Sequence, residues 1–297
     1  MHKIIETTLN NFKELFEINH FFFSPFIFRG QENPNWELKT SIERTIQFYS
    51  DFDFEKTFGY ETQEKWMLYD FKKKFPLYSN KLPKQNDNFE WLAIMQHYGS
   101  PTRLLDFSNS IFVSLYFATA NTKNESTVWC LNHNQIRNNL HKKFNLEYTP
   151  KKDLRDIIND KHIDFANKFI GETKNLHLLN EKSLIPLEPN FLTERLSKQQ
   201  GLFLMPTQSQ SSFTENMIGA FNLDNFIFHE TDISELINFS HEISLNHNIS
   251  IIKINIPEEI NYETIKYLHD MNINSETLFP GIDGLAKSLV QSKIRLL

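Results

Sequence analysis

Glycine is scarce in this chain, with 8 residues in 297. Because glycine is the residue that tolerates left-handed turns and very close backbone approaches, a fold built from this sequence can contain few of either. The same count excludes collagen-like repeats, abundant glycine-rich phosphate loops and long glycine linkers. Five of the eight glycines fall in four short segments, at residues 28–30, 97–99, 200–201 and 279–284. We therefore expect a functional site to be built from these segments.

The composition is that of a globular protein, with 40% hydrophobic and 23% charged residues. A net charge of −6 gives no overall attraction to nucleic acid, although a local basic cleft is compatible with it. Cys130 is the only cysteine, which excludes an intrachain disulfide and a cysteine-based zinc site, and its apolar neighbours predict a buried, inert thiol. No stretch reaches the roughly 18 apolar residues of a membrane span, and the first residues turn polar too early for a secretion signal. We therefore expect a cytoplasmic protein without a membrane partner.

The spacing of apolar residues predicts a succession of helices and strands. Helical spacing covers residues 3–18, and a short aromatic strand follows Pro25 and ends at Arg29 and Gly30. Pro76 should end a long helix over 51–75, and Gly99 should cap another over 89–98. The remaining predicted elements are helices at 110–120, 191–200, 258–271 and 284–291, and strands at 127–131, 202–206 and 249–256.

These elements predict an α+β fold in which helices wrap a mixed, mainly antiparallel sheet. Residues 132–185 are polar, rich in Asn, Lys and His, and only weakly periodic, which indicates an insertion. The sequence contains no fixed-period repeat and no long Gly/Ser/Pro linker. We therefore predict one domain over residues 1–297, with the insertion inside it.

The segment from Gln96 to Ser108 carries the densest set of reactive side chains. It combines an imidazole, a phenol, a guanidinium, a carboxylate and several hydroxyl groups. Arg103 and Asp106 are three residues apart, so a helical turn here would allow them to pair. The same pair is also compatible with a purely structural role, in which it locks the turn and Thr102 caps it.

Three segments together carry a family pattern. The first is Phe28-Arg29-Gly30, and the second is the run 96–106, followed by Leu115-Tyr116-Phe117-Ala118. The third begins at Arg195, continues through 199–203 and closes with 278–285. In this order, and over about residues 20 to 290, they resemble the FRG domain, which is named for Phe-Arg-Gly.

An arginine that ends a first core strand and is followed by glycine also resembles the opening of ADP-ribosyltransferase folds. That resemblance implies NAD as the substrate, with Arg29 gripping the pyrophosphate and with His97 or Ser108 bonded to the nicotinamide ribose. It implies ring stacking by Tyr98, Tyr116 or Phe117. The residues that would contact NAD are Arg29, Gly30, Gln31, Tyr98, Thr102, Arg103, Ser108, Tyr116 and Arg195. The residues that would act in catalysis are Arg29, His97, Asp106 and Gln200.

The chain departs from the transferase pattern at the catalytic acid. Those enzymes generally carry a Glu on a late strand, with Glu or Gln two residues before it, and neither 202–205 nor 249–256 contains such a pair. Glu188, Glu194 and Asp106 are the candidate acids, and Gln199 or Gln200 is a candidate replacement. Apart from this departure, the resemblance implies an NAD-dependent transferase or NAD glycohydrolase. Such an effector would act as a bacterial toxin or phage-defence protein, with a protein or nucleic-acid target and a regulatory partner protein.

Other classes of protein compete with this interpretation. In a structural role, Arg29 would pair with Asp106, and His97 would cap its helix. In a nucleotide- or nucleic-acid-binding module without catalysis, Arg29, Arg44, Arg103 and Arg195 would line one cleft, with Trp36 or Tyr98 to stack a base. A metal-dependent hydrolase is disfavoured, and no metal site is predicted, because the eleven histidines show neither HxxxH nor HxH spacing.

Overall fold

The computed structural model describes residues 3–21, 26–49, 60–146, 154–170, 181–190, 193–239 and 249–294. The strands of these residues form one eight-stranded sheet in the order β5-β6-β3-β2-β4-β8-β1-β7. In chain order the strands are β1 Ile4–Thr8, β2 Phe26–Gln31, β3 Leu105–Ser108, β4 Ser126–Asn132, β5 Leu184–Leu187, β6 Gly201–Pro206, β7 His229–Glu230 and β8 Ile251–Ile256. Strand β1 is parallel to β7 and β8, and every other pair is antiparallel. The predicted α+β class with a mixed, mainly antiparallel sheet is confirmed.

Helices cover the sheet, and within the described residues there are thirteen of them. They are α1 Glu14–Phe21, α2 Ser41–Tyr49, α3 Tyr60–Lys74, α4 Asn88–His97, α5 Ile111–Thr119, α6 His133–Lys143, α7 Leu154–Phe169, α8 Glu194–Lys198, α9 Phe213–Ala220, α10 Ile233–Phe239, α11 Glu258–Asp270, α12 Ser275–Leu278 and α13 Ile282–Ile294. A 3₁₀ turn, Phe75–Leu77, follows α3 and contains the proline that was predicted to end it. Residues 51–59 of that predicted helix lie outside the described residues.

Alternate residues of the central strands pack into cores on opposite faces of the sheet. Phe28 of β2 and Cys130 of β4 belong to one apolar cluster, whereas Ile27 and Leu131 belong to another. A sheet buried on both faces explains why these strands are almost continuously apolar. Burial also confirms the predicted inert cysteine, because desolvation raises the pKa of the Cys130 thiol well above its ordinary value.

The predicted helix over 3–18 is wrong in its first half. Residues Ile4–Thr8 form an inner strand of the sheet, and the helix begins only at Glu14, whose carboxylate accepts a hydrogen bond from the Asn10 amide (2.8 Å). Pairing with β8, which lies about 250 residues further along the chain, overrides the local helical spacing. Strands β3, β5 and β7 were also not predicted. The boundaries of the domain and of the insertion at 132–185 stay predictions, and part of that segment forms α6, α7 and the start of β5.

The sheet is nearly interrupted between β2 and β3. Strand β2 pairs with β4 along its whole length, from Phe26 to Gln31, whereas its register with β3 consists of the single pair Phe28↔Ser108. Strand β3 in turn pairs along its length with β6. The two strands therefore separate beyond Phe28, and residues that follow it on β2 face a gap in the sheet.

Candidate functional site

A cavity of about 880 Å³ opens at this gap. Strand β2 contributes Arg29, Gly30 and Gln31 to its wall, and β3 contributes the stretch 106–108. One face of α4 lines it at helical spacing. The helical contributions are Glu90, Ala93, Ile94, Gln96 and His97 from α4, Arg44 and Gln47 from α2, Ser114 and Phe117 from α5, and Arg195 and Leu196 from α8. Six helices and strands, β2, α2, α4, β3, α5 and α8, therefore meet around one space.

Arg29 bridges the gap between β2 and β3. Its Nη1 donates a hydrogen bond to the main-chain oxygen of Asp106 (2.8 Å) and lies 3.9 Å from the carboxylate Oδ2 of the same residue. The predicted structural pairing of Arg29 with Asp106 is thus present. The Nε–H, in contrast, is buried and reaches no acceptor among the described residues. An unpaired buried donor is costly, so this guanidinium has hydrogen-bonding capacity for a further acceptor.

Four basic side chains (Arg29, Lys39, Arg44, Arg195) and four carboxylates (Glu32, Glu37, Glu90, Asp106) line the cavity. Burial lowers the pKa of Arg29, Asp106 opposes this shift, and the nearby Arg44 lowers the pKa further. Burial and Arg195 together lower the pKa of His97. A positive neighbour thus disfavours the charged form of Arg29 and of His97. An anion placed between these groups would offset that repulsion and would itself be stabilised. Carboxylates also line the cavity, and one of them, Glu37, is paired with Lys39 at 3.0 Å.

Asp106 is held in place by a chain of side-chain hydrogen bonds. Gln96 Nε2 donates to Asp106 Oδ1 (2.7 Å), and the Thr102 hydroxyl donates to Gln96 Oε1. The Asp106 side chain is still more than half exposed, at 58%. Its carboxylate is therefore oriented by protein donors and remains accessible to a molecule in the cavity.

His97 ends α4 and lines the cavity beside Arg195. Because its pKa is lowered, the neutral ring is favoured at neutral pH. This argues against the structural alternative in which a protonated His97 interacts with the dipole of its helix. A neutral imidazole can instead donate or accept one hydrogen bond to a ligand.

Gly30 permits β2 and α5 to pack closely. A Cβ at this position would lie 1.9 Å from the Ser114 carbonyl oxygen and 2.6 Å from the Ala118 nitrogen. The Gly30→Ala variant is therefore expected to unfold with a free energy about 1–3 kcal/mol lower than the wild type, because the helix must move away from the strand. Chemical denaturation measures this change.

A matched control for Gly30 is available at Gly99. This residue has a φ of +86°, and a Cβ added to it would have no atom within 4 Å, so Gly99→Ala introduces backbone strain without a clash. Its cost should be about 1 kcal/mol, and it should leave the cavity intact. If Gly30→Ala costs less than Gly99→Ala, the close approach of β2 and α5 is not what requires glycine.

Several residues predicted to share the cleft lie elsewhere. The Tyr98 ring is 68% exposed and does not line the cavity, and Thr102 is buried behind Gln96. The Tyr116 hydroxyl lies 2.6 Å from the Ser275 hydroxyl within the core. Gln200 adopts a positive φ of 48°, and it is its neighbour Gln199 that lines the cavity. Among the predicted site residues, Arg29, Gly30, Gln31, His97, Asp106, Ser108 and Arg195 are brought together.

The predicted pairing of Arg103 with Asp106 is wrong. Residues 105–108 form strand β3, so the two side chains do not stack as they would on a helical turn. Arg103 is instead buried against Glu64 of α3, whose Oε1 accepts a hydrogen bond from the Arg103 main-chain amide (2.8 Å) and whose Oε2 accepts one from Nε. Arg103 therefore supports the segment from behind and does not line the cavity.

Two predicted ligand contacts already have protein partners. The Ser108 hydroxyl donates to the Gln199 carbonyl (2.7 Å), which ties β3 to the loop before β6. The Gln31 amide accepts from Trp129 Nε1 (2.8 Å) and donates to the Glu37 carbonyl (3.3 Å). These residues shape the wall of the cavity, and the buried donor that lacks an acceptor among the described residues is Nε of Arg29.

Sequence reasoning missed Glu90 and Gln96 as members of the site. Glu90 is buried, lines the cavity, and accepts a hydrogen bond from the Asn190 amide (3.1 Å). The spacing of Glu90, Ala93, Ile94 and His97 was a usable signal, because residues three and four apart share a helix face. Gln96 gave no such signal, since its role depends on partners in two other segments.

The described residues offer neither a metal centre nor a membrane segment. Among them, no cluster of three or more His, Cys, Asp or Glu side chains is arranged to hold a metal ion. None of the described helices has the length and apolarity needed to cross a membrane.

Comparison with known proteins identifies one family. Residues 24–127, about a third of the chain, match the FRG domain. The range includes Phe28-Arg29-Gly30 and the whole 96–106 run, whereas Arg195 and the closing 278–285 segment lie beyond it. No curated protein and no solved structure matches the chain.

Proposed function

We propose that the cavity binds NAD as a substrate and that the chain transfers its ADP-ribose group to water or to a macromolecule. The observation that carries this proposal is the convergence of Arg29, Arg44 and Arg195 on one cavity, with a buried donor of Arg29 unpaired. Guanidinium groups match the planar geometry of phosphate oxygens better than any other side chain. A ligand with two linked phosphates would use more than one of them.

The size and the walls of the cavity suit a dinucleotide. Its volume of about 880 Å³ falls in the upper part of the range of small-molecule sites. Trp36, which is half exposed, and Phe117 line it and offer ring faces to a base or a nicotinamide. The arginines would hold the pyrophosphate between these rings, and His97 would bond to a ribose hydroxyl.

The proposed reaction breaks the bond between the nicotinamide nitrogen and C1′ of the ribose. Nicotinamide leaves with the bonding electron pair, and an acceptor oxygen forms the new bond to C1′. The proton of that acceptor passes to a carboxylate, for which Asp106 is placed at the cavity and oriented by Gln96. Arg29 would contribute by holding the phosphates while the charge on the ribose develops.

Nucleotide binding without cleavage is the second candidate function. Neither β6 nor β8 contains an acidic residue, so no late-strand Glu accompanies the arginine cluster on these strands. A module of this kind would bind NAD or another nucleotide through the same arginines and release no nicotinamide. The two candidates share a binding site and differ in one product.

Calorimetry with NAD tests both candidates. The Arg29→Lys variant should bind roughly 10- to 150-fold more weakly than the wild type, because a point charge replaces a planar pair of donors. Arg137→Lys is the matched control, since Arg137 lies on α6 and is bonded to Asn134, away from the cavity wall. Equal affinities for the wild type and Arg29→Lys would contradict the proposed site, and so would an absence of NAD binding.

Nicotinamide release separates the transferase from the binding module. The proposed reaction predicts release by the wild type, with a candidate protein or nucleic-acid target present, and loss of release in Asp106→Asn. An active enzyme of this class would consume NAD or modify its target, which fits a bacterial toxin or phage-defence effector. Expression of the wild type should then impair cells in at least one of two conditions, without phage or under phage challenge. Expression of Arg29→Ala should impair them in neither. Binding without release would favour the module.

A further inference from the structure

A second charged surface lies outside the cavity. The segment 71–86 contains five lysines and no acidic residue, which is a charge of +5 in a chain whose net charge is −6. Such a local excess of one sign in an acidic protein indicates a partner of the opposite sign. We call this segment, together with Tyr98, the basic aromatic surface.

Large apolar side chains of this surface are exposed to solvent. Tyr78 is 83% exposed, Leu77 is 81% exposed, and Tyr98 stands on the adjacent end of α4. Buried Phe75 connects them, since its ring packs edge-on against Trp91 (5.6 Å) and lies 6.4 Å from the Tyr98 ring. Large apolar side chains that stay exposed on one segment mark an interaction site, because burying them elsewhere in the fold would have been favourable.

Three of the five lysines of this surface are exposed and are not neutralised by a described acidic residue. Lys72 is used internally, where it donates to the Gln85 carbonyl (2.8 Å) and packs beside Trp91. Lys74 forms an exposed pair with Asp70 (3.4 Å), a geometry that contributes little. Lys73, Lys81 and Lys84 are exposed and form no ion pair with any residue that the structure describes.

We infer that the basic aromatic surface binds single-stranded nucleic acid. Exposed rings stack on unpaired bases, and lysines between them neutralise the phosphates. Double-stranded nucleic acid is disfavoured, because its bases are stacked on one another and cannot cover Tyr78 or Tyr98. The His97 ring lies 5.0 Å from the Tyr98 ring and lines the cavity, so a bound strand would pass the cavity mouth. This inference does not depend on NAD being the ligand of the cavity.

Fluorescence anisotropy with labelled oligothymidylate and oligouridylate of about 20 nucleotides tests the inference. The wild type should bind at low salt, and Tyr78→Ala should weaken binding roughly 5- to 100-fold, because a stacking platform is lost. Tyr262→Ala, at an exposed tyrosine on α11, is the matched control and should bind like the wild type. The two oligonucleotides show whether the 2′-hydroxyl contributes.

Charge reversal provides an independent measurement. The triple variant Lys73→Glu/Lys81→Glu/Lys84→Glu should bind more weakly than the wild type. The slope of log K against log salt concentration should be shallower by about two, because each contact with a single-strand phosphate contributes about 0.7 to that slope. Reversal of Lys13, Lys142 and Lys266, which are exposed lysines elsewhere in the fold, changes the net charge equally and should leave the slope unchanged.

Four results would overturn the inference. The first is that the folded wild type does not bind at the lowest salt, and the second is that the two triple variants weaken binding equally. The third is that Tyr78→Ala and Tyr262→Ala bind with equal affinity. The fourth is that polyglutamate of equal charge displaces the oligonucleotide. The last result would assign the surface to an acidic protein segment. Circular dichroism of each variant verifies that a loss of binding is not a loss of fold.

Discussion

Replacing Glu64 with Gln is expected to lower the free energy of unfolding by about 3–5 kcal/mol, although the two side chains have nearly the same shape. Glu64 and Arg103 are both almost fully buried, and they contact each other directly. The substitution removes the carboxylate that faces the buried Arg103 guanidinium, and the loss of one partner of a buried ion pair is far more costly than the loss of a surface contact. Urea denaturation of the two proteins at neutral pH gives the difference.

An exposed pair provides the control for this experiment. Asp70→Asn removes the partner of Lys74, and both side chains are more than half exposed. Its cost should be at most about 1 kcal/mol, because water screens the pair. The double variant Glu64→Leu/Arg103→Met should be more stable than Glu64→Gln, since it removes both buried charges together. A double variant that is less stable than the single one would show that the pair itself is stabilising.

The same pair also decides what Arg103 does. If its role is to support the 102–106 segment, then Arg103→Met should weaken NAD binding only in proportion to the unfolded fraction. Full stability combined with lost binding would instead place Arg103 at the ligand, as the sequence alone had suggested.

Local elements were predictable because their signals are local. Helices α4 and α5 agree with the sequence to within one or two residues, and each begins at a side-chain cap. Asp87 accepts from the Glu90 amide, and Ser110 accepts from the Val113 amide. Strand β1 was missed because Ile4 and Ile5 are held by β8, a partner that no local pattern reveals.

The membership of the site was predictable in part. The family motif brought Arg29, His97 and Asp106 into one group, and the structure places all three at the cavity. It did not distinguish lining residues from supporting ones. Arg103 and Tyr116 are polar residues of the same motif segments, yet each is bonded to a residue from a distant segment, Glu64 or Ser275. Which side of the backbone a motif residue faces depends on such partners.

Acidification is expected to destabilise the protein through His162, a buried residue of α7. Its Nδ1 lies 3.0 Å from the Pro186 carbonyl, so this nitrogen is the one that donates. The Nε2 of neutral His162 then accepts a hydrogen bond from Nε2 of His141, 2.9 Å away. A proton on His162 Nε2 would set two N–H groups against each other, and the ring is already deprived of water.

The physical causes act in one main direction. Burial and the neighbouring His141 lower the pKa of His162 to about 3, against the bond to Pro186, and His133 and Arg137 add to the lowering. The pKa of His141 is lowered as well, chiefly by burial, with Arg137 and Lys161 contributing and the Leu146 carbonyl opposing. In the unfolded chain a histidine takes up its proton near pH 6.5. Between about pH 6.5 and 3 the unfolded state therefore binds a proton that the folded state does not.

The sign of the pH dependence follows from this difference. Stability is at its full value above pH 6.5 and falls as the pH decreases toward 3, by at most about 1.4 kcal/mol per pH unit for this group. His162→Gln keeps a donor and an acceptor but does not titrate, so its stability curve should be flatter than that of the wild type over this window. Denaturation at a series of pH values isolates His162 as the difference between the two curves, since the carboxylates are common to both. His229→Gln, on the exposed strand β7, is the matched control for a histidine replaced outside the core. If His162→Gln runs parallel to the wild type, the buried pair takes up a proton without cost, and the bond from His141 to His162 is not what keeps the ring neutral.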